Sequence, residues 1–283
     1  MYKNIKIGMA QLLVEGREPE RNLQRALKLI EEAAQKNCDI VLLPETLDFA
    51  WTHPAALNES EFIPGKFSDF FCQCAAKYNI YLCVGLTERT ANSSKNYNTA
   101  LFINNKGEII LKYRKINLLE VELPYYEVGT SLNVVDTPWG KIGVNICADN
   151  YIEALTIGHT LARMGAQVIL SPSSWTVDYY ITEEDDPYKE KWNKPLSILA
   201  QLYNIVVVST TSVGYIIGGP YEGKKQVGCS LAVGEKGIIA QGQFNEFAGE
   251  LITTEFEVPA NNLKGTQFGD NLRKKGYRFD EFL

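Results

Sequence analysis

Three residues of reactive type stand at the ends of apolar, strand-like runs. Glu45 closes DIVLLPE, Lys115 follows LKYR in IILKYRKINL, and Cys147 closes GKIGVNIC. Side chains at strand ends emerge where α/β proteins place their sites. A carboxylate there can move protons, an ammonium can stabilise a developing anion, and a thiol becomes a strong nucleophile once deprotonated. Each also has a plainer reading. A glutamate after a strand commonly belongs to a solvated loop, and Lys115 sits beside Lys112 and Arg114 as on a basic surface edge. A single apolar-flanked cysteine often serves as a small core residue, and that reading is taken for Cys38, Cys72, Cys74, Cys83 and Cys229.

Other routes to chemistry find no support. The sequence has no G-x-S-x-G, H-E-x-x-H, G-x-x-x-x-G-K-[ST] or G-x-G-x-x-G motif. Its two histidines, His53 and His159, lie far apart, and no C-x-x-C pair occurs, so a structural zinc site is not expected. The 283 residues, 45% hydrophobic and 22% charged, suit a soluble globular chain of one large domain or two small ones. A net charge of −6 argues against a nucleic-acid surface. The opening MYKNIKIGMAQLLVEG meets charge too early for a secretory signal, and no run is long or apolar enough for a membrane span. A cytoplasmic protein with free thiols is therefore expected.

The elements that would position these residues are legible as patterns. Strand-like runs fall at 5–12, 39–45, 80–86, 99–104, 132–137, 140–147, 167–172, 204–212, 228–233 and 249–256, several apolar on both faces as in a covered sheet. Helical spacing is read at 19–36, where Leu23, Ala26, Leu27, Ile30, Ala33 and Ala34 form one stripe, and at 66–78, 151–164 and 189–203. Covered sheets with helices outside make an α/β layered sandwich. The hairpin-like pairs 80–86 with 99–104 and 132–137 with 140–147 require mixed sheets.

In order, the segments LLPET, YRK-x-N-L and GVNICAD resemble those around the Glu–Lys–Cys triad of the nitrilase superfamily, the carbon–nitrogen hydrolases. GAQVILSPSSW (165–175), YNIVVVSTTSVG (203–214) and GCSLAVGEKGIIAQG (228–242) extend the resemblance, which covers roughly residues 4 to 256. The resemblance implies a four-layer α-β-β-α sandwich, a homodimer or higher homo-oligomer, and no metal or organic cofactor. It implies Cys147 as nucleophile, Glu45 as general base, and Lys115 with the Ala148 backbone N–H as oxyanion donors. A second glutamate often follows the lysine in this family. Glu120, Glu122 and Glu127 are candidates, and counting back from Gly129 favours Glu122, although Val128 stands where proline is common.

Cys147-Ala148-Asp149 departs from the Cys-x-Glu of nitrile hydrolases and favours a small amide or carbamoyl substrate. Asp149 is expected to cap the following helix, with a role in shaping the pocket as the alternative. Trp175 is placed on the pocket wall or in the core, and 178–188 forms either a rim or a solvated loop. Nitrile hydrolysis, amide-forming acyl transfer and a catalytically silent binding member of the fold are the competing functions. Residues 1–257 are expected to form the hydrolase domain. The segment 258–283 is read as an extension across a dimer interface or a loosely ordered tail.

Overall fold

A computed structural model describes residues 3–260 and 273–276. Among the described residues, fifteen strands alternate with helices. The first five are β1 (Asn4–Gln11), β2 (Ile40–Leu42), β3 (Tyr81–Arg89), β4 (Asn96–Ile103) and β5 (Ile109–Arg114). There follow β6 (Val134–Thr137), β7 (Gly140–Val144), β8 (Val168–Pro172), β9 (Thr176–Val177) and β10 (Val206–Thr210). The last are β11 (Val213–Tyr215), β12 (Lys225–Val227), β13 (Leu231–Gly234), β14 (Gly237–Gln241) and β15 (Glu250–Glu257). The helices are α1 (Pro19–Gln35), α2 (Ala56–Glu59), α3 (Lys66–Tyr78), α4 (Thr156–Arg163) and α5 (Lys194–Tyr203).

Two six-stranded sheets carry the fold, in the orders β15-β1-β2-β3-β4-β5 and β14-β13-β10-β8-β7-β6. Both are mixed: β1-β2-β3 and β7-β8-β10 run parallel, whereas β3-β4 and β6-β7 are antiparallel hairpin pairs. Successive residues assign the faces, because strand side chains alternate. Ile40, Leu42 and Cys83 join the core shared with β7, β8 and β10, while Val41, Leu43, Leu82 and Val84 pack with α1 and α3. Helices α4 and α5 cover the outer face of the second sheet through Leu161, Leu196 and Leu199. The order helix, sheet, sheet, helix is the α-β-β-α sandwich.

Two helical expectations are revised. The segment 151–164 opens with Tyr151 extended (ψ 155°), which separates the 3₁₀ turn Cys147–Asn150 before it from a second short 3₁₀ turn at Ile152–Ala154. The α-helix starts only at Thr156. Likewise 189–203 opens as a wide π-turn, Lys189–Asn193. Pro195 has no N–H to give the Lys191 carbonyl, so the regular ladder starts at α5. None of the described helices is long and apolar enough to cross a membrane. The reading of 258–283 falls, apart from 258–260 and 273–276, outside the described residues.

Candidate active site

Glu45, Lys115 and Cys147 come from different strand ends and meet between the sheets. Glu45 lies three residues beyond β2, and its backbone is clasped by β3. Gly85 makes this possible: a Cβ there would stand 2.3 Å from the Glu45 Cα. Gly85 N–H donates to the Pro44 carbonyl at 3.1 Å, and Leu47 N–H donates back to Gly85. Asp48, fully buried, accepts from the Thr87 amide at 2.9 Å and from the Thr87 hydroxyl at 3.1 Å, fastening the rest of the loop.

Lys115 follows β5. Its amide donates to the Asn98 carbonyl, and its carbonyl accepts from Gly129 at 2.8 Å, so the chain leaves and returns at one point. A Cβ on Gly129 would lie 1.9 Å from the Arg114 carbonyl oxygen, which restricts that return to glycine.

The side chains form a buried charge network. Lys115 Nζ lies 2.9 Å from both carboxylate oxygens of Glu122 and 3.5 Å from Glu45 Oε2. All three residues are inaccessible to solvent. Asn98 Nδ2 donates to Glu45 Oε2 at 2.9 Å, and Trp51 Nε1 donates to Glu122 Oε1 at 2.8 Å. Leu119 N–H donates to Glu122 Oε2 at 2.9 Å. Of the three candidate glutamates, the structure therefore brings Glu122 to Lys115. Glu120 faces outward, and Glu127 accepts from Ser93 Oγ on the outside of the molecule.

Cys147 opens the 3₁₀ turn after β7 with φ +45°, a left-handed conformation unusual for a residue with a side chain. The first N–H groups of a helical turn have no partner within it. Ala148, the second residue of this turn and almost fully buried, supplies one. Asp149 holds the turn. Its Oδ2 accepts from Ile146 N–H at 2.9 Å and from the Tyr113 hydroxyl at 2.6 Å, and its Oδ1 accepts from the Asn117 backbone and side chain at 3.0 and 2.9 Å. It both caps the turn and ties it to the strand end that carries Lys115.

The segment after β8 bridges the other two groups. Ser173 C=O accepts from Glu45 N–H at 3.4 Å, and the backbone amide of the next residue, Ser174, favours the thiolate form of Cys147.

These surroundings set the charges. Burial, with Glu122 adding to it, raises the Glu45 carboxyl to about 7, against the opposing pull of Lys115 and Asn98. Burial also opposes the Lys115 charge, but Glu122 and Glu45 outweigh it and hold the ammonium well above its ordinary range. Burial and the Glu45 charge push the Cys147 thiol up, while Lys115 and the Ser174 amide pull it down less strongly. The resting thiol is thus neutral. A carboxylate titrating near neutrality beside it can take its proton, and a fixed ammonium can meet a developing oxyanion.

Trp175 is fully buried, stacked on Trp192 at 4.5 Å and 11° and tilted against Tyr188 at 5.0 Å. It takes the core position, and Tyr151 reaches the open side in its place, edge-on to Trp192 at 4.9 Å. A cleft of about 470 Å³ opens there, lined by Leu119, Glu120, Val121, Tyr151, Lys191 and Tyr221. Leu119 N–H bonds Glu122 directly, and Tyr221 packs on Trp51 (5.3 Å ring to ring), which donates to Glu122. Tyr151 closes the 3₁₀ turn that Cys147 opens, its N–H donating to the Ala148 carbonyl at 3.0 Å. In 178–188, Tyr179 and Tyr180 are exposed and Asp178 pairs with Lys224.

The sequence reading missed Trp51, Asn98, Gly85, Ser173, Ser174 and Lys191. Only Gly85 carried a local signal, a glycine inside a strand-like run, which marks close backbone approach.

The sequence pattern that defines the carbon–nitrogen hydrolases matches residues 6–260. The chain belongs to the carbon–nitrogen hydrolase family. Among curated members, an omega-amidase of Xenopus laevis is 33% identical over 181 residues, 61% of this chain and 64% of that protein. The deaminated glutathione amidase of Homo sapiens is 32% identical over 56% of this chain and 52% of its own length. The chain thus matches just under two thirds of the first of these relatives and about half of the second. A carbon–nitrogen hydrolase from Helicobacter pylori G27 superposes with TM-score 0.81 at 21% identity, covering 99% of this chain and 96% of that one. An amidase from Nesterenkonia sp. AN1, with acrylamide added to its active-site cysteine, gives TM-score 0.77 at 18% identity over 96% and 100%. These likenesses establish the hydrolase fold.

Proposed function

We propose that this carbon–nitrogen hydrolase cleaves a small amide or carbamoyl compound through a thioester on Cys147. The observation that carries the reading is the buried contact of Lys115 with Glu45 and Glu122 beside a cysteine in a left-handed turn. Glu45 takes the thiol proton as sulfur attacks the carbonyl carbon. The oxyanion is met by Lys115 Nζ and the Ala148 N–H. As the carbon–nitrogen bond breaks, Glu45 returns the proton to the departing nitrogen. Water then attacks the thioester, Glu45 takes its proton, and the thiol is restored. Glu122 keeps Lys115 aimed and charged. The omega-amidase and amidase names among the relatives support an amide over a nitrile.

The test is ammonia release from a panel of amides, ureido acids and nitriles, with intact mass measured during turnover. Release from amides, a mass increase equal to the acyl group, and loss of both in Cys147→Ala support the reading. Release that survives in Cys147→Ala overturns the nucleophile, and release confined to nitriles overturns the substrate class.

A further inference from the structure

The cleft is lined by two charges of opposite sign, Lys191 and Glu120, neither of which has an ion-pair partner among the described residues. Lys191 stands on the π-turn before α5, with Nζ 5.1 Å from the Tyr151 ring centroid and 6.0 Å from that of Trp192. Aromatic faces hold a cation in place without cancelling its charge. The neighbouring Lys194 is different: it pairs with Glu190 at 2.7 Å. Glu120 lines the same cleft from the turn that carries Glu122, and among the described residues it has no cationic partner. Glu120 and Lys191 do not pair with each other, although both border a space of about 470 Å³. Tyr151 and Tyr221 line the same space.

A neutral aliphatic amide would leave both charges facing its apolar tail. A purely anionic amide would satisfy Lys191 but meet Glu120. An end group that is itself dipolar answers both.

We infer that the cleft selects amides whose far end carries an ammonium and a carboxylate together, the class of amino acids with a side-chain amide. The carboxylate meets Lys191 and the ammonium meets Glu120, while the amide reaches inward to Cys147. This inference rests on the amide-hydrolysis reading and names the substrate class for it.

Three amides that share a three-carbon chain beyond the amide separate the terms: butanamide (neutral), the monoamide of glutaric acid (carboxylate added) and glutamine (carboxylate and ammonium added). Ammonia release gives kcat/KM for each with wild type, Lys191→Gln and Glu120→Gln. Glutamine is expected to be the best wild-type substrate. In Lys191→Gln the ratio of glutamine to butanamide should fall about fivefold to tenfold, the size of one charge-assisted contact at a partly solvated rim. In Glu120→Gln kcat/KM for glutamine itself should fall by a similar factor, while that for the glutaric monoamide does not fall. Unmoved ratios, or butanamide as the best wild-type substrate, would overturn the inference while leaving amide hydrolysis intact. A Glu120→Gln variant that improves the monoamide and leaves glutamine unchanged would overturn the ammonium site. Ammonia from none of the three would instead remove the hydrolysis reading and this inference with it.

Discussion

The Tyr113 hydroxyl donates to Asp149 Oδ2 at 2.6 Å, joining the strand end that carries Lys115 to the turn that carries Cys147. The same carboxylate accepts from Asn117 and from Ile146 N–H. Asp149→Ala leaves several buried donors unmatched at once, each costing about 1–3 kcal/mol. The variant should lose about 3 kcal/mol or more of stability in denaturant titrations, and kcat should fall more than tenfold. Full activity in a stable Asp149→Ala protein would show that the tie does not position the site.

The left-handed backbone at Cys147 makes a second prediction separable from chemistry. Cys147→Ala and Cys147→Gly should both be inactive. The glycine variant should nevertheless be the more stable by about 0.5–1 kcal/mol, since relief of a left-handed strain of about 1–2 kcal/mol exceeds the added chain entropy. Paired denaturation curves decide it, and a more stable alanine variant would contradict the strain.

Glu45, held near 7 chiefly by burial, must be ionised to accept the thiol proton. Activity should therefore fall as pH drops through about 7, read as the acid limb of kcat/KM. Glu45→Gln should lose about 10²–10⁴ in kcat, the usual contribution of a positioned base, and the acid limb should vanish from any residual rate.

Removing one partner of a buried ion pair strands the other. Glu122→Ala leaves Lys115 with only the longer contact to Glu45, and a loss of about 3–5 kcal/mol is expected. Lys115→Met, which leaves two buried carboxylates together, should destabilise most at high pH, where both are charged. Thermal melts across pH for the two variants test this.

Asp48 predicts a pH dependence of stability rather than of rate. Burial raises its carboxyl from the ordinary 3.8 to about 7, so the folded protein holds this proton more tightly than the unfolded chain. Its contribution is complete below about pH 4 and is lost as pH rises through about 7. The change is about 4 kcal/mol at most. Asp48→Asn, which cannot ionise, should flatten that part of the melting-temperature profile, and an unchanged profile would assign it elsewhere.

The layered architecture was legible because β-branched runs and a 3.6-residue stripe report burial directly, as at 5–12 and 19–36. The strand ends carrying Glu45, Lys115 and Cys147 were legible for the same reason. Trp51 and Asn98 were not, because their partners, Glu122 and Glu45, lie 71 and 53 residues away and no local pattern encodes such a pairing. Lys191 was hidden by its neighbours: it stands between Lys189 and Lys194 just after the acidic run 183–186, and only the fold places one of the three on the cleft. The helical reading of 151–164 failed at Tyr151, whose extended backbone leaves the apolar spacing of 154–162 untouched.

The junction at Gly129 has a consequence for how such a protein can change. Because Gly129 N–H returns to the Lys115 carbonyl, residues 116–128 form a closed excursion whose two feet stand on the same spot. Closing a loop costs only weakly more as it lengthens. Insertions or replacements among its outward residues, Leu119 to Val121 included, can therefore redraw the entrance while the lysine beneath stays where it is. Substrate range and chemical machinery are in this way free to evolve on separate schedules.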